Sequence, residues 1–226
     1  PMPAEFLFAP DLFPTRFLRQ SSRLDLSHLC GLRCCPEGPR SIRGMACVDT
    51  LERRYEADDL HLLQADSAGG KLEALWQIGT SNLHWRSRWQ WDDELAVWSR
   101  QDQLINTGPQ PATILRCLAR FSLAAGQHEL SIQSGSWAHE NQLQSVSVST
   151  GRFSLRSQGG RTTQGGAPYL FYHPAGSPSA IAFHWLPQGN WSLHIDQTRT
   201  PWSAEEPFLA VEIGPSDENL RLNLLP

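Results

Sequence analysis

No run of apolar residues in this 226-residue chain approaches the ~18 that a membrane-crossing helix needs, so the sequence predicts no membrane partner. No basic run is present either. With 19 basic against 23 acidic residues and a net charge of −4, nucleic acid is excluded as the main partner, because phosphate backbones are held by clustered Lys and Arg. The opening PMPAEFLFAPDLFP lacks the basic start and long apolar centre of a secretion signal. The expectation is a cytoplasmic protein, or else one whose true N-terminus lies upstream.

Cysteine is scarce and poorly arranged for disulfides. The five are Cys30, Cys34, Cys35, Cys47 and Cys117, an odd number with two adjacent, which favours a reducing compartment. His28, Cys30 and Cys34 offer half of a zinc set, but no matching pair follows, so ordinary thiols are expected and no metal. Cofactor chemistry also lacks its signatures. GGRTTQGG is followed by no Lys-Ser/Thr and opens no helix, so it is not a phosphate loop. The serines form no nucleophile elbow. The acidic clusters Asp58-Asp59, Asp92-Asp93-Glu94 and Glu205-Glu206 are sequence neighbours, and neighbours on a strand point to opposite faces. They read as turn or edge charges. Asn190-Trp191-Ser192 matches a glycosylation acceptor that matters only in a secreted protein. Helical periodicity is missing; SAEE opens a short turn at most.

What the chain does have is alternation with period two. SAIAFHWL puts Ile181, Phe183 and Trp185 on one face, and NWSLHID does the same for Trp191, Leu193 and Ile195. NLRLNLL alternates Leu220, Leu222 and Leu224 with polar residues. QSVSVST and RFSLRS flank Gly151 as a predicted hairpin. ELAVWS, LIN and ATILRCLARFSL continue the series, with TGPQP as a turn before the last. In that last strand Leu115, Cys117, Ala119, Phe121 and Leu123 share a face, and burial accounts for the cysteine. The linkers SAGG, TQGGAP and PAGSP are short, so one domain spanning residues 1–226 is expected. The pattern predicts an all-β fold, a large antiparallel sandwich.

Tryptophan is abundant: nine in all, with Trp85, Trp89, Trp91 and Trp98 inside fourteen residues. Flat rings are platforms for sugars. They are also what large sandwiches use to fill the space between sheets. SGSWAHENQ, residues 134–142, is harder to read as plain strand or turn, since it sets Gly135, Trp137, His139 and Glu140 close together.

That stretch resembles a segment of the family 36 α-galactosidases, in which a strand leads to Ser-Gly, a small residue, Trp, any residue, Arg and Glu. Gly135, Trp137 and Glu140 keep their places, and His139 stands where the family has Arg. Three more segments follow the family's order. SLRSQGGRTTQGGAPYLFY matches through Ser157, Gly160, Thr162, Thr163, Pro168 and Tyr169, with Ala167 in place of Asn. FHWLPQGNW matches through Gly189, Asn190 and Trp191. VWSRQDQLINTGPQPATILRCLARFSL matches through Arg100, Asn106, Gly108 and Ser122. The resemblance covers residues 95–226; upstream, Asp49, Asp58 and Asp59 are unranked candidates for an acidic sugar contact.

The resemblance implies an N-terminal β-supersandwich related in shape to galactose mutarotase. It implies a parent enzyme, a retaining α-galactosidase of raffinose- or melibiose-type sugars, whose two catalytic aspartates lie in a C-terminal (β/α)8 barrel. The implied partners are α-galactosides, that barrel and further copies in a homo-oligomer. The implied substrate-binding residues are Trp137, His139 and Glu140, with Trp137 swung to the rim of a sugar pocket. Two alternatives stay open: a free-standing carbohydrate-binding module, and a mutarotase-like epimerase using a strand histidine among His173, His184 and His194. Retaining hydrolysis needs two carboxyl groups ~5–5.5 Å apart, and no such pair is legible here. The isolated chain is therefore predicted to leave aryl α-galactosides untouched, and hydrolysis above that of a blank preparation would contradict this.

Overall fold

The computed structural model describes residues 5–8, 14–19, 22–25, 46–55, 59–95, 97–124, 128–136, 138–148, 151–159, 165–173, 180–198 and 208–226. The described chain is β-structure almost throughout. Its strands are β1 (Glu5–Phe8), β2 (Pro14–Arg19), β3 (Ser22–Asp25), β4 (Ala46–Thr50), β5 (Arg54–Tyr55) and β6 (Leu60–Ala68). There follow β7 (Lys71–Ile78), β8 (Leu83–Asp92), β9 (Val97–Asn106), β10 (Ala112–Ala124), β11 (His128–Ser136) and β12 (His139–Val148). The last are β13 (Gly151–Ser157), β14 (Tyr169–His173), β15 (Ile181–His184), β16 (Trp191–Thr198), β17 (Phe208–Pro215) and β18 (Leu222–Leu224). β1–β3 form a small sheet, β6–β9 a four-stranded meander, and β12-β11-β14-β15 a second four-stranded sheet. The central sheet runs β13-β16-β17-β10-β4-β5, with β18 also paired to β10.

Directly opposed residues in an antiparallel ladder share a face, so the central sheet's registers sort its side chains into two unlike surfaces. Leu193 opposes Ile213 and Ile195 opposes Val211, and this face is apolar. Both four-stranded sheets contribute to one core with it, through Trp76 and Trp85, Leu130 and Ile132, and Leu170 and Tyr172. Fully burying one such aliphatic or aromatic side chain contributes about 1.5–3 kcal/mol. Phe121 marks the junction of the three sheets. Its ring meets Trp89 of β8 at 6.0 Å and Phe183 of β15 at 5.1 Å, both edge-on. Arg100 of β9 lies over Trp89 and Phe121 and donates to the Arg120 carbonyl at 3.0 Å.

The opposite face is polar and largely buried. Arg120, 2% exposed, stands across from Glu212, 1% exposed, and its Nε donates to Glu212 Oε1 at 2.9 Å. One strand further out, Arg152 grips Asp196 through two bonds of 2.8 and 2.6 Å. His194, the β16 partner of Glu212, is also buried. With its proton on Nε2, the ring donates to Asp217 at 3.2 Å and accepts the Ser154 hydroxyl at Nδ1 at 2.8 Å. Arg116 donates to the same Asp217 at 2.5 Å. The His194 hydrogen bond, aided by the Arg116 charge, holds the Asp217 carboxyl well below its ordinary range. The stability this lends is present at neutral pH and is lost progressively as pH falls from the ordinary carboxylate range through that lowered value.

Several sequence expectations change. The predicted hairpin at Gly151 does not form: β12 pairs with β11 and β13 with β16, in different sheets. Gly151, at φ 124°, begins a strand of another sheet, and alternation on both flanks does not tell a hairpin from such a crossing. In β10 a register shift between Ile114 and Arg116 turns Ile114 into the core instead of Leu115. Cys117 is half-buried against that core. Leu222 is 48% exposed, because β18 is a short strand at the end of β10. The end of ELAVWS, from Val97, and LIN belong to one strand, β9. The tryptophan cluster is mostly core: Trp85 and Trp89 are buried, and Trp91 leans on Trp98 at 5.5 Å.

Removing one partner of the buried pair strands the other charge. Arg120→Met is expected to lower the urea-unfolding free energy by about 3–5 kcal/mol. Adding Glu212→Leu should restore most of that loss. Single and double variants of equal stability would contradict this account.

Candidate functional site

The SGSWAHENQ hairpin end is built from β11 and β12. Pairing is regular up to Ser134↔Gln142, then shifts, with Ser136 opposite His139. One residue, Gly135, thus faces two, Glu140 and Asn141, a β-bulge of the kind that re-aims side chains. The left-handed backbone is carried by Ala138, at φ 63°, and Asn141, at φ 59°. Asn tolerates that region; Ala has no such excuse, and strain of this kind persists where the surroundings enforce it. Glu140 supports the turn by accepting the Ala138 N–H at 3.3 Å. Both His139 and Glu140 are exposed. Trp137 lies outside the described residues.

Behind this bulge is an open hollow of about 640 Å³. Asn141 and Gln133 of the hairpin form one wall, Pro168 and Tyr169 the floor, and His184 to Gln188 the far side. Its parts are fastened together. The Ala167 N–H donates to the Gln133 carbonyl and the Trp185 N–H to the Pro168 carbonyl, each at 2.8 Å. The Tyr169 hydroxyl donates to Gln133 Oε1, and its ring stands edge-on to His184 at 6.1 Å. The lining joins rings and prolines to amides and contains no carboxylate. Such a surface suits a neutral ligand with both C–H faces and hydroxyls, and it supplies no acid/base pair for bond cleavage. Of the residues singled out from sequence, Ala167, Pro168, Tyr169 and His184 line the hollow, while His139 and Glu140 flank it at Asn141. Gln133 and Asn141 were not marked as site residues. The asparagine's tolerance of left-handed backbone was their one faint signal.

The remaining candidates have structural partners. Asp49 is held by Arg54 at 3.0 and 3.1 Å, and Asp59 by Arg53 at 2.5 Å. Asp58, His28, Cys30 and Cys34 lie outside the described residues. His173 shares a bond of 3.1 Å with Ser131, and His194 belongs to the buried polar face. The motif residues elsewhere are fasteners. Asn106 donates to the carbonyls of Gln110 and Leu224 at 2.8 and 3.1 Å and accepts the Gly108 N–H at 3.0 Å. A Cβ on Gly108 would meet Asn82 Nδ2 at 2.7 Å. Asn190 donates to the Gln158 carbonyl at 3.1 Å.

The central sheet with two smaller sheets on its apolar face is an architecture shared with N-terminal portions of sugar hydrolases. The galactosidase domain of the α-galactosidase–sucrose kinase AgaSK superposes with a TM-score of 0.68 at 16% identity, over 81% of this chain and 28% of that one. The α-galactosidase from Lactobacillus brevis gives 0.62 at 16% identity, over 81% and 27%. The family 36 α-galactosidase AgaA A355E from Geobacillus stearothermophilus, in complex with 1-deoxygalactonojirimycin, gives 0.62 at 14% identity, over 84% and 29%. At these identities the likeness shows the fold, and the chain spans under a third of each relative. No curated protein matches the chain. The profile of the glycosyl hydrolase family 36 N-terminal domain matches residues 80–200. The chain belongs to that family.

Asn141→Gly should keep the bulge and leave stability within about 1 kcal/mol, whereas Asn141→Val should lose about 1–2 kcal/mol by forcing a branched side chain into left-handed backbone. Equal thermal midpoints for the two variants would show that the bulge is unstrained.

Proposed function

We propose that this chain is the non-catalytic β-supersandwich domain of a retaining α-galactosidase that hydrolyses terminal α-galactosides of the raffinose or melibiose type. In this reading the domain supports assembly of an oligomer and lines the sugar site of an adjacent (β/α)8 barrel, which carries the chemistry. The family match over residues 80–200 is the observation that carries it. The carboxylate-free hollow beside the hairpin end supports a binding role over a catalytic one. The same hollow also favours a second reading, a carbohydrate-binding module that acts without a barrel.

Trp137, His139 and Glu140 are the proposed sugar contacts. In the sequence Trp137 directly follows Ser136, next to the β-bulge at Gly135. Glu140 holds the turn, and the exposed His139 imidazole offers a hydroxyl partner. In the complete protein carrying this domain, Trp137→Ala should weaken sugar binding by about 0.5–1.5 kcal/mol beyond lost contact area, taking aromatic pairs as a guide to ring–sugar stacking. The melting midpoint should barely move. A core tryptophan would instead lose about 3–5 kcal/mol of stability on truncation. A large drop in melting with unchanged KM would refute the rim assignment.

A further inference from the structure

An open sheet ends in strands whose outer N–H and C=O groups face no partner, and proteins protect such edges with charge, proline, bulges or brevity. The described edges here follow that rule with one exception. β15 has four residues and β5 has two. β13 carries Arg152 and Arg156, and β9 carries Arg100 and Asp102. β6 carries Asp66 and a register shift between Leu62 and Gln64. The exception is β12. Beyond its bulge it reads NQLQSVSV, with no charge, proline or glycine. Its ladder with β11 is regular from Gln142↔Ser134 to Val148↔His128, so the edge is straight. Residues 139–145 are all exposed, and Leu143 is 73% exposed.

We infer that β12 is an interaction surface for a second copy of this chain, which docks edge to edge and antiparallel, so that two four-stranded sheets merge into one. The inference rests on the assembly part of the reading above and gives it a surface; sugar binding plays no part in it.

The strand's own pattern selects a copy of itself. A two-fold axis normal to the sheet keeps corresponding faces on the same side, which requires opposed residues of the same parity. Centred on Ser145, the pairing sets Leu143 against Ser147, Gln144 against Val146 and Gln142 against Val148. The exposed leucine is then covered, and no charge meets a like charge. The one charged side chain opposite this stretch on β11, Glu129, already accepts the Ser145 hydroxyl. An acidic or basic partner strand finds nothing on this edge to select it, whereas backbone pairing with small polar and β-branched residues suits the same strand inverted.

Sedimentation of the 226-residue chain at about 1–100 µM tests this, since a seam of this size belongs to the weak end of protein interfaces. The expected result is a mass rising from one copy toward two, with slowed amide exchange over residues 142–148 in the concentrated sample. Ser145→Lys places two ammonium groups face to face across the axis and should weaken association about tenfold or more. Leu143→Lys, which leaves the Glu129 contact intact, should do likewise. Leu95→Lys, equally exposed on the distant turn after β8, should leave the mass unchanged. A chain of single-copy mass at every concentration overturns the inference. So does a dimer that survives both β12 variants, or one broken by Leu95→Lys. Loss of sugar affinity in the complete protein overturns neither the seam nor its test.

Discussion

Burial of charge on the inner polar face of the central sheet constrains the rest of this structure. Water that solvates a guanidinium and a carboxylate is removed at Arg120 and Glu212, and only a partner on the next strand compensates. That requirement fixes register between β10 and β17 as firmly as the apolar face does, because a one-residue slip would set Arg120 against an aliphatic residue. The neighbouring pairs, Arg152 with Asp196 and Arg116 with His194-bound Asp217, extend the constraint to β13, β16 and the chain after β17. The two faces thus agree on a single alignment. One does so by shape and the other by charge.

The apolar face explains how three sheets behave as one body. Phe121 touches the meander through Trp89 and the second four-stranded sheet through Phe183. Arg100 lies across two of these rings and ends on a backbone carbonyl of β10. A cation on aromatic faces tolerates burial better than a bare ammonium would. The β11–β12 hairpin end, and the hollow beside it, is thereby carried by strands packed into the common core rather than by a free loop.

Much of this was legible in the sequence. Period-two runs placed the apolar faces of β15 and β16 toward the core, although β16 buries its polar face as well. Where alternation was the sole signal it failed in particular ways. Around Gly151 it does not say which sheet the next strand joins. In β10 it is inverted by a register shift against β4 after Ile114. Of the residues that carry the family resemblance, Asn106, Gly108 and Asn190 lock turns and strand ends, and Arg100 braces the junction of the sheets. Conformational necessity and ligand contact leave similar marks in a sequence, and only the positions of hydrogen-bond partners separate them. The hollow was opaque for another reason: Gln133, Tyr169 and His184 converge from three strands.

The separation along the chain between Arg120 and Glu212, 92 residues, has a consequence in time. A ribosome adds about 5–20 residues per second, so β10 is made roughly 5–18 s before the strand that neutralises it. During that interval Arg116 and Arg120 remain hydrated, and the slot that β17 will occupy, between β10 and β16, stays empty. The central sheet is therefore completed in its middle last, by β17. Long-range closure of this sort is slow, and a nascent chain halted before residue 208 would present two open strand edges instead of a sheet.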